Sequence, residues 1–172
     1  MDEKVLNRWI ANSFDWSHKL PDPPPGFSLS SNQRPFDGFA LSPEVGVVFW
    51  EAKIMKKLEA FNFSRIAPHQ IDNLSRAKNI LKNSGHSGKF VVILGLWNKG
   101  KGIKTWLFDI DLIVRLQAEG KKSFTKKDLE ALEEFTHQSK NEKFIFLFDK
   151  VVNEWPVPLN SSIQEQTLTQ SS

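Results

Sequence analysis

Three side chains in one short window carry groups that could hydrolyse a phosphodiester. Asp37 stands before Gly38, and Glu51-Ala52-Lys53 closes the apolar run from Val45 to Trp50. Side chains alternate along a strand, so Glu51 and Lys53 share one face, roughly 7 Å apart along the backbone. If Phe36–Leu41 pairs antiparallel with Val45–Lys53, the hairpin can bring the Asp37 carboxylate beside Glu51. Two close carboxylates repel, and a hard divalent cation such as Mg²⁺ relieves that repulsion through oxygen ligands. The adjacent Lys53 ammonium would then stabilise charge developing on a phosphate oxygen during metal-assisted hydrolysis.

Plainer roles are open to the same residues. Asp37 before Gly38 reads equally as a turn residue. Glu51 and Lys53 read as an exposed ion pair at a strand end, worth under about 1 kcal/mol. Glu119-Gly120-Lys121 repeats the acid-x-Lys spacing in a turn with no strand before it, so the triplet alone specifies nothing. What sets Glu51 and Lys53 apart is the apolar strand ahead of them and the acid upstream.

The elements that must position these groups follow from hydrophobic spacing. Val5, Leu6, Trp9 and Ile10 give an amphipathic helix over Glu3–Phe14. The Pro-rich stretch through Pro21, Pro23, Pro24, Pro25 and Gly26 and the polar run to Gln33 make a long connection. Phe36–Leu41 and Val45–Lys53 form a hairpin that leads into a buried central strand, with a basic linker over Ile54–Arg65. Pro68 suits a first helical turn, and Ile71, Leu74, Ala77 and Leu81 carry that helix to Gly85. Phe90–Trp97 and Lys104–Phe108 make a second hairpin about Asn98-Lys99-Gly100-Lys101-Gly102-Ile103, and Ile110–Leu116 a short helix. Thr125 caps a second long helix with Asp128 three residues on and an apolar stripe of Leu129, Leu132 and Phe135. A last strand is expected over Phe144–Val151, and a disordered polar tail from Asn160. Strands alternating with helices give an α/β fold, a mixed central sheet flanked by helices, in one domain over residues 1–159.

Composition narrows the function classes. The chain has 172 residues, with 40% apolar and 12% aromatic residues, enough for one hydrophobic core and too few for two ordinary enzyme domains. Cysteine is absent, which excludes a disulfide framework, a thiolate nucleophile and a sulfur-ligated zinc. The opening Met1–Phe14 has no continuous apolar signal region, and no stretch approaches the roughly 18 residues of a membrane span. A soluble, cytoplasmic protein without membrane contact is expected. Net charge is +3, and Lys residues gather at positions 53, 56 and 57, at 99, 101 and 104, and at 121, 122, 126 and 127. That distribution suits a polyanionic partner, though solvated Lys at turns and helix ends accounts for it too.

In order along the chain, Asp37-Gly38, the apolar strand, Glu51-Ala52-Lys53, an aromatic linker and His69-Gln70 resemble the RecU-type Holliday junction resolvases of the PD-(D/E)XK nuclease superfamily. The likeness extends through Phe49–Lys53, Phe61-Asn62-Phe63, Pro68–Leu74, Gly88–Leu94, Trp106–Ile113 and Gly120–Leu132, and so spans Phe36 to Leu132. It implies a restriction-endonuclease-like core and a Mg²⁺-dependent endodeoxyribonuclease, with Mn²⁺ as a substitute, acting on four-way DNA junctions in recombination and repair. It places Asp37, Glu51 and Gln70 on the metal, with Lys53 as the catalytic lysine. Gln70 could otherwise serve as a helix-start polar residue bonding backbone. His69 falls outside the metal set, and Glu3 is an extra acid only by analogy with other members of the superfamily. Pro35 stands where the family has Thr, and Ser17–Pro35 is short where members carry a stalk-like insertion.

A homodimer is expected, because two symmetric cuts suit a twofold pair. Phosphate contacts are expected from Lys56, Lys57, Lys99, Lys101, Lys121 and Lys122. Two alternatives stay open: a nuclease acting on duplex or flap DNA, and a non-catalytic DNA-binding protein of the same fold.

Overall fold

The computed structural model describes residues 2–21, 34–98, 102–132, 137–140, 143–146, 148 and 151–155. Helix α1 (Glu3–Asn12) begins at an Asp2 cap whose carboxylate accepts from the Val5 N–H. Strands β1 (Trp16–Lys19), β2 (Gly38–Ser42) and β3 (Gly46–Met55) follow, then the short β4 (Phe61–Asn62) and a tight turn over Phe63–Arg65. Helix α2 (Pro68–Asn83) carries Pro at its first position, where the missing N–H has no helical partner to lose. Strands β5 (Gly88–Asn98) and β6 (Gly102–Asp109) precede α3 (Ile110–Ala118), β7 (Ser123–Phe124), α4 (Lys126–Ala131), β8 (His137–Lys140) and β9 (Lys143–Phe144).

The fold is mixed α/β. The sheet runs β1-β2-β3-β5-β6-β8-β9, with β3 and β5 parallel and the other neighbours antiparallel. Helix α2 is the crossover between the two parallel strands, and β4 pairs with β7 apart from the main sheet. Alternation along β3 divides the interior in two. Val48, Trp50, Ala52 and Ile54 pack with Leu6 and Ile10 of α1, whereas Met55 packs with α2, α3 and α4 through Leu74, Ile113 and Leu129. Glu51 and Lys53 share the parity of Met55 and so lie on the α2 side. Gly95 lets α1 sit close to the sheet, since a Cβ there would stand 3.0 Å from Leu6 Cδ2.

Several sequence expectations shift. Residues 16–19, at the head of the Pro-rich connection, form β1 and pair with β2 from Trp16↔Leu41 to Lys19↔Gly38. Ile54 and Met55, expected in the basic linker, continue β3. The helix after Thr125 is short, ending at Ala131, although its capping box forms as the spacing indicates, Asp128 N–H to Thr125 Oγ1 and Thr125 N–H to Asp128 Oδ2. The expected last strand over Phe144–Val151 contracts to β9. Phe144, Phe146 and Phe148 alternate and are buried, but Phe146 and Phe148 stack on Phe14 beneath α1 instead of extending a ladder. Val152 instead forms a single parallel bridge with Phe108. Glu119-Gly120-Lys121 is a turn, with Gly120 at φ 83°. Phe135, Lys99, Lys101, most of the Pro-rich connection and the polar tail lie outside the described residues. Among the described residues, no helix is long and apolar enough to cross a membrane.

Candidate active site

The site forms where β2 stops covering β3. Gly38↔Trp50 is the last rung between the two strands, and the next β3 donor, the Ala52 N–H, would face an empty edge. Asp37 fills it: its own N–H donates to the Trp50 carbonyl at 3.0 Å, and its Oδ2 accepts from the Ala52 N–H at 2.8 Å. A carboxylate thus continues the ladder by one rung, which satisfies a buried backbone donor and fixes the acid against the sheet. Oδ2 accepts a second bond, from Asn7 Nδ2 on α1 at 2.9 Å, and Asn7 Oδ1 in turn accepts from Trp50 Nε1 at 2.9 Å. Oδ1 makes an ion pair with Arg34. Gly38 is required beside this arrangement, because a Cβ there would overlap the Trp50 ring and stand 2.8 Å from the His18 carbonyl oxygen.

Glu51 is fully buried on the α2 face. Its Oε1 accepts from Lys53 Nζ at 2.7 Å and from Gln70 Nε2 at 2.7 Å, while Oε2 is buried with no hydrogen-bond partner among the described residues. Burial raises the Glu51 pKa from 4.5 to about 7; the Asp37 charge adds to the rise, and Lys53 and Arg34 oppose it. Gln70 belongs to the first turn of α2, which Pro68 starts beside the end of β3. Its Oε1 accepts from the Ala67 N–H at 3.0 Å, the backbone bond of the plainer sequence reading, so the nitrogen of its amide, not the oxygen, faces Glu51.

Asp37, Glu51, Lys53 and Gln70 are all buried to nine-tenths or more. They include an acid pair whose charges act on each other and a lysine held in direct contact with one of them. A buried carboxylate oxygen lacking a donor is costly unless something positive meets it. Glu51 Oε2 is such an oxygen, and hard carboxylate donors suit Mg²⁺ or Mn²⁺. Asp37 and Glu51 would hold such an ion; Gln70 could add its oxygen only by releasing Ala67.

The other expected residues separate. Lys56 and Lys57 follow β3 and are exposed, Lys57 lying 3.1 Å from Glu59. Lys122 is exposed, and its carbonyl oxygen accepts from the Phe63 N–H. Lys121 is engaged internally, 3.0 Å from Asp128 and over the Trp155 ring at 4.5 Å. Glu3 lies 3.9 Å from Arg65 at the start of α1, and the His69 carbonyl oxygen accepts from Asn73. Asn7 and Arg34 are the two residues at the site that sequence reading misses. Asn7 falls between Leu6 and Ile10 and has the aspect of an ordinary polar helix residue; Arg34 sits at the end of a Pro-rich stretch that has no periodicity to place it.

No family model matches the chain, and no curated protein matches it at a significant level.

Proposed function

We propose that the chain is a Mg²⁺-dependent endodeoxyribonuclease that resolves four-way DNA junctions, with a restriction-endonuclease-like core. The observation that carries this reading is the buried Asp37–Glu51 pair, with Lys53 in contact with Glu51 and an oxygen on the same carboxylate, Oε2, that has no donor among the described residues. A buried oxygen without a donor, on an acid whose proton affinity is raised and which touches a lysine, is the pattern that functional sites favour. When bound, the metal would supply the Lewis acidity that phosphodiester hydrolysis needs.

The chain's own groups supply the rest. The ladder bond from Ala52 and the amide of Asn7 fix the Asp37 carboxylate, so no reorganisation is needed at the moment of reaction. Lys53 keeps an ammonium beside the reacting centre, held by Glu51, where it offsets negative charge growing on the phosphoryl oxygens. Gln70 holds Glu51 in place from α2. Lys56, Lys57 and Lys122 lie at the surface and suit phosphate contacts that set affinity without reading bases. Two such subunits about a twofold axis would meet equivalent strands of a junction.

The test is cleavage by the purified full chain. A four-way junction and a linear duplex of the same sequence are each incubated with Mg²⁺ or Mn²⁺. Paired nicks in the junction are expected, and Asp37→Asn or Lys53→Ala should slow them by about 100-fold or more. Equal cutting of both substrates would replace junctions by duplex as the target. Junction binding with no cutting in either metal would favour the non-catalytic alternative, to which Pro35 and the backbone-bonded Gln70 oxygen lend support.

A further inference from the structure

Asp37 divides its two oxygens between different tasks. Oδ2 is saturated by Asn7 and Ala52, both fixed elements of the fold. Oδ1 is paired with the Arg34 guanidinium, three residues earlier in the chain. A divalent ion ligated by Asp37 needs that same oxygen. Two cations at one carboxylate oxygen repel, so the guanidinium and the ion compete for it.

Arg34 has somewhere to go. Its side chain also lines a cleft of about 510 Å³, with Lys4, Lys19 and Lys56. The two acids on that wall are engaged, Asp2 with the Val5 N–H and Glu3 near Arg65. Among the described residues that wall carries Arg34, Lys4, Lys19 and Lys56 against Asp2 and Glu3, a surplus of positive charge beside Asp37. Guanidinium is suited to such a move: its planar donors match carboxylate and phosphate alike, and its long stem turns without backbone motion.

Resting on the nuclease reading above, we propose that Arg34 is an exchangeable cation: it neutralises Asp37 Oδ1 in the metal-free protein, yields that oxygen to the divalent ion, and turns into the Lys4–Lys19–Lys56 cleft to bind a DNA phosphate. Metal and DNA then favour one another. Each removes a competitor of the other, and the coupling must be reciprocal. The cleft is correspondingly the track for the strand that flanks the cleaved bond.

The test uses the full chain and a readout separate from cleavage. Mn²⁺ is titrated without DNA and free ion is read by electron paramagnetic resonance. Arg34→Gln should bind Mn²⁺ roughly tenfold more tightly than wild type, the scale of one charged hydrogen-bonded pair removed from competition. Arg34→Lys, which keeps the charge, should lie between them, and it stands in for Arg34→Gln should the latter not fold. In Ca²⁺, fluorescence anisotropy should show Arg34→Gln binding a four-way junction several-fold more weakly. Unchanged or weaker Mn²⁺ binding in Arg34→Gln, with binding abolished in Asp37→Asn, overturns the exchange while leaving the metal site intact. Unchanged junction affinity overturns the phosphate role. Absence of any Mn²⁺ binding by wild type overturns both this inference and the nuclease reading.

Discussion

Asn7 and Asp37 are joined side chain to side chain across 30 residues, the Asn7 amide donating to Oδ2 at 2.9 Å in a buried setting. The Trp50 indole N–H, donating to Asn7 Oδ1, dictates which end of the amide faces the acid. Asn7→Ala would leave Trp50 Nε1 without its acceptor and remove one of two donors on Oδ2. A loss of about 1–3 kcal/mol of stability is expected by chemical denaturation. Asn7→Asp should cost more, because it sets a second carboxylate against Asp37 inside the protein.

Glu51 makes stability depend on pH. Its folded pKa of about 7 exceeds the ordinary 4.5, burial being the main cause, so between those values the folded chain holds a proton that the unfolded chain has released. The Glu51 contribution is therefore fully present below pH 4.5 and is lost as pH rises through 7. The loss is of order 3 kcal/mol. Urea denaturation in EDTA from pH 5 to pH 8 should show this decline, and Glu51→Gln should flatten it. Added Mg²⁺ or Mn²⁺ should restore stability at the upper end of the range, since an ion that binds only the folded chain stabilises it.

Two lysines that composition alone treats alike should behave differently. Lys56 is exposed at the cleft, whereas Lys121 is tied to Asp128 and Trp155. Lys56→Ala should weaken junction binding and lower the salt slope of log K by about 0.9, the value for one phosphate contact. Lys121→Ala should leave that slope unchanged and instead lower thermal stability. Anisotropy titrations at several salt concentrations, with melts of each variant, check both.

The parts of the fold that were legible were those with a strong period. The continuous apolar run into Glu51 is β3, Pro68 does begin α2, and Ile71 and Leu74 are its buried stripe. Because β3 is a strand, Glu51 and Lys53 do share a face. The hairpin reading brought Asp37 to this neighbourhood, but the reason for its place, a carboxylate finishing the ladder at Ala52, depends on where β2 ends, and that is a matter of register. β1 was hidden because its alternation is weak and prolines follow it closely. The alternating phenylalanines at 146 and 148 misled in the other direction: stacking on Phe14 buries both of them outside any strand. Asn7 and Arg34 could not be assigned from spacing, because each acts across a tertiary contact or out of an aperiodic segment.

The central claim is that Asp37 and Glu51 hold one divalent ion between them. Crystals of the full chain soaked in Mn²⁺, with anomalous scattering recorded at the manganese edge, test it most directly. A single strong peak is expected within about 2–2.5 Å of Asp37 Oδ1 and Glu51 Oε2, absent from Asp37→Asn crystals. A peak elsewhere, or none there at saturating Mn²⁺ with both carboxylates unmoved, would contradict the account.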